Sequence, residues 1–146
     1  MTTPSETLRE RICRLRRERE ERKSVNRHPR KSPSQAERAE ILKKTDGNCH
    51  ICGGEIVGGN WQADHVKAHS GGGEHSLDNY LPAHAICNNY RWDYLAEEFQ
   101  LILKLGVWAR TQIEKNTTVG KDLEKGFAKH EAHRISRRKS KPDDTK

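Results

Sequence analysis

Two short stretches decide the fold of this chain: Cys49-His50-Ile51-Cys52 and His84-Ala85-Ile86-Cys87. In each stretch, two residues separate a pair of side chains of the types that bind zinc. A tight turn brings such a pair about 3.5–4 Å apart, as tetrahedral Zn²⁺ requires. His50, inside the first pair, is an alternative ligand. Because four protein ligands leave no open position, we predict a structural rather than catalytic zinc, held by Cys49, Cys52, His84 and Cys87.

The composition explains why such a domain needs a metal. Of the 146 residues, 32% are hydrophobic and 34% are charged, so a core built from them would be marginal by itself. No run of about 18 apolar residues exists that could span a membrane. The N-terminal stretch has no apolar segment typical of a secretory signal. We therefore expect a reducing, cytoplasmic setting, where cysteines more often bind metals than form disulfides.

Positive charge is concentrated at the two ends of the chain. The net charge is +7, and residues 1–31 contain eleven Lys/Arg against five Asp/Glu. Residues 121–146 contain nine against five, whereas residues 32–120 contain eight against eleven. Basic arms around a less charged centre favour binding to nucleic acid phosphates. The alternative is that these arms are only solvated tails.

The sequence predicts a mixture of helices and short strands. Helices are expected at 5–23, 34–45, from Pro82 to about Arg91, at 94–115 and at 120–138, with strands at 61–66 and 79–82. Ser34 and Glu37 have the spacing of a capping box. The first helix has a thin apolar stripe and is expected to be loosely docked or isolated. Gly106 is expected to kink or break the fourth helix, and Trp92 to pack in the core.

Four segments between and beside the zinc pairs resemble the HNH nuclease motif. They are Asp64-His65-Val66, Gly71-Gly72-Gly73, Asp78-Asn79-Tyr80-Leu81 and Cys87-Asn88-Asn89-Tyr90-Arg91. The resemblance covers about residues 46–92. The sequence departs from the motif at Asn88, where many members have His, and at His84, where Cys is more usual. Family members with Asn and members with His at the position of Asn88 both occur. At position 84, histidine is an ordinary zinc ligand.

The resemblance implies an α+β fold: a small ββα-metal core with a structural zinc, flanked by helices and basic arms. It implies that Asp64 and Asn88 hold a catalytic Mg²⁺ or Mn²⁺ through oxygen atoms. It implies that His65 is the general base, and that Asn79 orients the loop that carries this histidine. The loop histidines 69 and 75 are expected to be ordinary polar residues.

The predicted function is a metal-dependent DNA endonuclease that hydrolyses phosphodiester bonds with one metal ion. The resemblance implies that it acts in a bacterial or phage-infected cell. A non-catalytic, zinc-stabilised nucleic-acid-binding module is the alternative, and cleavage of RNA stays open. The predicted regions are a basic arm and linker (1–33), the nuclease domain (34–93), a helical extension (94–119) and a basic tail (120–146). The sequence leaves monomer and dimer open. The predicted DNA contacts are Arg91, Arg27, Arg30 and Lys31, and a solvated helix face is an equal alternative for Arg91.

Overall fold

The computed structural model describes residues 6–25 and 31–139. Its elements are α1 (Leu8–Val25), α2 (Gln35–Lys43), β1 (Trp61–His65), β2 (Tyr80–His84), α3 (Ala85–Arg91), α4 (Ala96–Glu114) and α5 (Thr118–Lys139). The predicted α+β class is confirmed. The chain divides into two compact units, residues 1–99 and 100–146, and the four predicted regions stay predictions. In the described residues, no helix is long and apolar enough to cross a membrane.

Helix α2 begins with the predicted capping box. The Ser34 side chain accepts a hydrogen bond from the Glu37 N–H, and the Glu37 carboxylate accepts one from the Ser34 N–H. These two bonds satisfy backbone donors that a helix start leaves without partners. The helix ends at Lys43 instead of continuing to residue 45, since Asp46 and Gly47 take positive φ values of 50° and 78°. That turn leads the chain into the Cys49–Cys52 segment, which we call the knuckle.

Strands β1 and β2 form a two-stranded antiparallel sheet. Trp61 pairs with His84 at one end, and His65 pairs with Tyr80 at the other. The strand starts at Tyr80, so Asn79 precedes it, at the end of a 3₁₀ turn at Leu77–Asn79. A second 3₁₀ turn, His69–Gly71, overlaps the glycine run Gly71-Gly72-Gly73 of the motif. The core beside the sheet is small and contains Ile41, Cys49, Ile56, Trp61, Tyr80 and Ala83.

Helix α1 is firmly docked, so the prediction of a loosely docked or isolated helix is wrong. Leu15 is fully buried. Arg19 bonds to Glu98 at 3.1 Å, with both side chains largely buried, and Arg19 and Lys23 also reach Asp93. Separating such a pair would leave a buried charge without a partner, which costs about 3–5 kcal/mol. Ion pairs therefore provide the attachment that the thin apolar stripe of α1 could not predict.

Two further expectations are wrong. Helix α4 runs through Gly106 without interruption, because one glycine inside a helix costs only about 1 kcal/mol. Trp92 is 62% exposed. It is the residue at which α3 ends, with φ at 49°, and this left-handed backbone turns the chain away from the helix axis.

In the second unit, Gly120 lies so close to α4 that a Cβ there would be 2.1 Å from the Gln112 carbonyl oxygen.

Candidate metal centre and active site

The structure brings the four predicted zinc ligands together. Their ligand atoms all lie within 4.8 Å of one another. Cys49 and Cys52 come from the knuckle, His84 lies at the end of β2, and Cys87 lies in the first turn of α3. A tetrahedral ion at this place would join the knuckle, the sheet and the helix. His50, the alternative ligand in the sequence, is not a member of this group.

The electrostatics of the group fit a divalent cation. Burial opposes ionisation of Cys49, but N–H groups of Cys52, His84 and Ile51 bond to its sulfur and lower its pKa to about 6. Burial and the neighbouring sulfurs of Cys52 and Cys49 raise the pKa of Cys87 to about 12. Crowded thiolates repel one another until a cation lies among them. The donor set of three sulfurs and one imidazole is that of structural zinc.

Asp64 lies on the side of β1 that faces the knuckle and α3. It is buried, and each carboxylate oxygen has a separate partner. Oδ2 lies 2.7 Å from His50 Nε2, and Oδ1 accepts a hydrogen bond of 3.1 Å from Arg91. A buried carboxylate needs such partners because it has lost its hydration. The structure thus places one anionic oxygen pair between the knuckle and the helix.

Asn88 is held on the same side of the sheet. Its Nδ2 donates a 2.6 Å hydrogen bond to Gln62 Oε1, and Gln62 precedes Asp64 by two residues on β1. Residues two apart on a strand point to the same face. The amide nitrogen of Asn88 is turned to Gln62, and Oδ1 is its oxygen donor. An ionised carboxylate offers about four acceptor positions, of which His50 and Arg91 use two. These oxygen donors fit Mg²⁺ or Mn²⁺.

His65 faces the opposite side of the strand, as expected for the residue after Asp64. Its Nε2 lies 3.1 Å from Nδ1 of His75, and that same Nδ1 lies 2.7 Å from the Tyr80 hydroxyl. The His65 and Tyr80 rings are 4.5 Å apart, and the His65 and His69 rings are 5.7 Å apart. The two loop histidines, expected to be ordinary polar residues, therefore pack around His65.

Asn79 bonds to the backbone of the loop between the strands. Its Oδ1 accepts from the Lys67 N–H at 2.9 Å, and its Nδ2 donates to the carbonyls of Lys67 and Glu74 at 3.0 and 2.9 Å. Gly73 permits this close arrangement, because a Cβ there would lie 1.9 Å from the Lys67 carbonyl oxygen. Asn79 thus joins the two ends of the loop that surrounds His65. Its part in catalysis stays a prediction.

The four residues predicted to contact DNA differ in their bonding and exposure. Arg91 donates to the carbonyls of His65 and Val66 at 3.1 and 2.8 Å, in addition to its bond to Asp64. These three bonds tie α3 to the end of β1. Lys31 is exposed, whereas Arg27 and Arg30 lie outside the described residues. Contact of these four residues with DNA stays a prediction.

Sequence reasoning missed Gln62 and Tyr80 as residues of this site, and it considered His50 only as an alternative zinc ligand. The strand period could have indicated Gln62, since it shares a face with Asp64. Pairing with His65 across the sheet could have indicated Tyr80. Only the three-dimensional path of the knuckle brings His50 to Asp64. The site is therefore larger than the motif that led to it.

Two antiparallel strands and a helix, with an Asp-His pair on the first strand and a Cys₃His group that could hold zinc, define a ββα-metal domain. Residues 49–91 match the family model described as HNH endonuclease. The chain therefore carries an HNH domain, and the predicted family is confirmed over this segment. Comparisons of the chain with curated proteins and with solved structures gave no match.

Proposed function

We propose that this protein is a metal-dependent DNA endonuclease that hydrolyses phosphodiester bonds with one divalent ion and His65 as general base. The observation that carries the proposal is the division of side chains on β1. Asp64 points to His50 and Arg91, while His65, the next residue, points to His75 and Tyr80. A metal ligand and a base on opposite sides of a strand can act on the same phosphate from different directions.

The chain's own residues would share the work as follows. Asp64 and Asn88 bind the ion through oxygen atoms, with Gln62 fixing the amide of Asn88. When bound, the ion acts as a Lewis acid that offsets charge on the scissile phosphate and the leaving 3′ oxygen. His65 accepts a proton from the attacking water at a ring nitrogen. Asn79 holds the loop around His65.

DNA is proposed as the substrate because of the family and the charge. Arg16 and Arg17 on α1 are exposed and make no ion pair within the described residues. Arg11 and Arg14, in contrast, bond to Glu97. Exposed arginines suit phosphate contacts, so part of the basic arm is available for DNA. Lys31, Arg91 and the predicted contacts outside the described residues complete the proposed surface.

The test is cleavage of supercoiled plasmid with Mg²⁺, Mn²⁺ or EDTA. Wild type is compared with His65→Ala and with His133→Ala, an exposed histidine on α5, as the matched control. Loss of a general base costs on the order of 10²–10⁴ in rate, so His65→Ala should lose most cleavage while zinc content, folding and DNA affinity stay near wild type. His133→Ala should cut normally.

Two results would contradict the proposal in different ways. Equal cleavage by His65→Ala and wild type would mean that His65 is not the base. If wild type binds DNA but is inert with every metal, the non-catalytic binding module becomes the better description. An RNA transcript of the same sequence, tested beside the plasmid, shows whether cleavage is restricted to DNA.

A further inference from the structure

His50 is a half-buried histidine without a role in the proposed chemistry. It sits between two zinc ligands, yet its ring is turned away from the zinc group and towards Asp64. Nε2 lies 2.7 Å from Asp64 Oδ2, and the two side chains are only 16% and 6% exposed. A short contact between an imidazole and a carboxylate in such a place needs an explanation.

The backbone of His50 is fixed from two directions. Its N–H donates to the Pro82 carbonyl at 3.0 Å, which ties the knuckle to β2. Its neighbour Cys49 belongs to the zinc group. The backbone bond fixes where the side chain starts, and the contact with Asp64 fixes where the ring lies. The structural zinc and the Asp64 carboxylate are therefore connected through a single residue.

The contact also shows which role His50 can have. The 2.7 Å contact is a hydrogen bond between Nε2 and Oδ2, and in the tautomer that has its proton on Nε2 the ring donates to the carboxylate. An imidazole nitrogen that carries a proton has no lone pair for a metal. The hydrogen bond to Asp64 and ligation of an ion through Nε2 are therefore mutually exclusive.

We infer that His50 is a positioning residue: its Nε2–H holds Asp64 Oδ2, so that the remaining carboxylate lone pairs point at the catalytic ion. The inference rests on the proposed function, because it assumes an ion at Asp64. Partners of this kind, which orient a metal ligand without touching the metal, typically contribute 10- to 100-fold in metal affinity or activity. Arg91, on Oδ1, holds the other side of the same carboxylate.

The experiment measures Mn²⁺ binding to the zinc-loaded full-length protein by isothermal titration calorimetry and by electron paramagnetic resonance of free Mn²⁺. The variants are His50→Ala, His50→Gln and Asp64→Ala, with His133→Ala as control. Glutamine places an N–H donor near the position of Nε2 and is a poor metal ligand. We expect His50→Ala to weaken Mn²⁺ affinity by about 10-fold or more, and His50→Gln to stay within about threefold of wild type. Zinc content should be unchanged in both.

Each other outcome overturns the inference. His50→Ala with wild-type Mn²⁺ affinity would mean that Asp64 is held without it. His50→Gln as weak as His50→Ala would mean that the imidazole itself ligates the ion or that only its packing matters. Absence of Mn²⁺ binding by wild type, with Asp64→Ala no different, would instead refute the proposed catalytic metal site, and His50 would lose its role with it.

Discussion

The loop around His65 depends on one amide side chain, and replacing it with an isosteric carboxylate tests that dependence. Asn79→Asp keeps the oxygen that accepts from the Lys67 N–H but loses both N–H donors. An oxygen then faces the carbonyls of Lys67 and Glu74, where the bonds were 3.0 and 2.9 Å. The variant changes hydrogen bonding and charge while it leaves shape the same.

The expected size of the effect follows from those contacts. Two lost hydrogen bonds account for about 1 kcal/mol each, and the facing oxygens add repulsion, for a total of about 2–3 kcal/mol. Because each ~1.4 kcal/mol changes an equilibrium constant tenfold, the population of the correctly held loop relative to open forms falls by about 30- to 150-fold. Cleavage should fall up to that extent. Zinc content should stay at the wild-type level, because Asn79 does not belong to the zinc group.

Hydrogen exchange gives a readout that is independent of activity. The N–H groups of Gly71, Gly72 and Gly73 bond to carbonyls at the start of the loop, and they should exchange faster in Asn79→Asp. The control is Asp78→Asn, a neighbouring exposed residue with the opposite change in charge, which should behave as wild type. If Asn79→Asp retains both the protection of these amides and the cleavage rate, the loop is held by other contacts.

Two more predictions follow from the zinc group and from α1. Cys52→Ala should lose the single zinc and unfold the first unit, because zinc binding contributes about 10–16 kcal/mol in small domains and this core is small. Metal analysis and circular dichroism measure the two losses, and a folded, zinc-free wild type would contradict the prediction. Arg16→Gln with Arg17→Gln should reduce the slope of log affinity for DNA against log salt by up to about 1.8, since each phosphate contact contributes about 0.9. The paired variant Arg11→Gln with Arg14→Gln should change that slope less, because these arginines are bonded to Glu97; equal slopes in both pairs would refute the assignment.

Features that depend on short stretches could be predicted from the sequence. The capping box at Ser34 involves residues close together in the chain, and local geometry sets its structure. The HNH domain was recognised because its motif residues lie at typical spacings within one segment. The neighbouring positions of Asp64 and His65 on a strand already required that their side chains diverge.

Contacts between distant segments were decided only by the tertiary structure. The ion pair of Arg19 with Glu98 joins residues 79 positions apart, and no pattern in α1 alone reveals its partner. The approach of His50 to Asp64 depends on how the knuckle packs on β2. Side-chain type and local spacing determine which kinds of site a chain can form. Which distant side chains meet is decided by packing, because only the partners that the whole fold brings together can make contact.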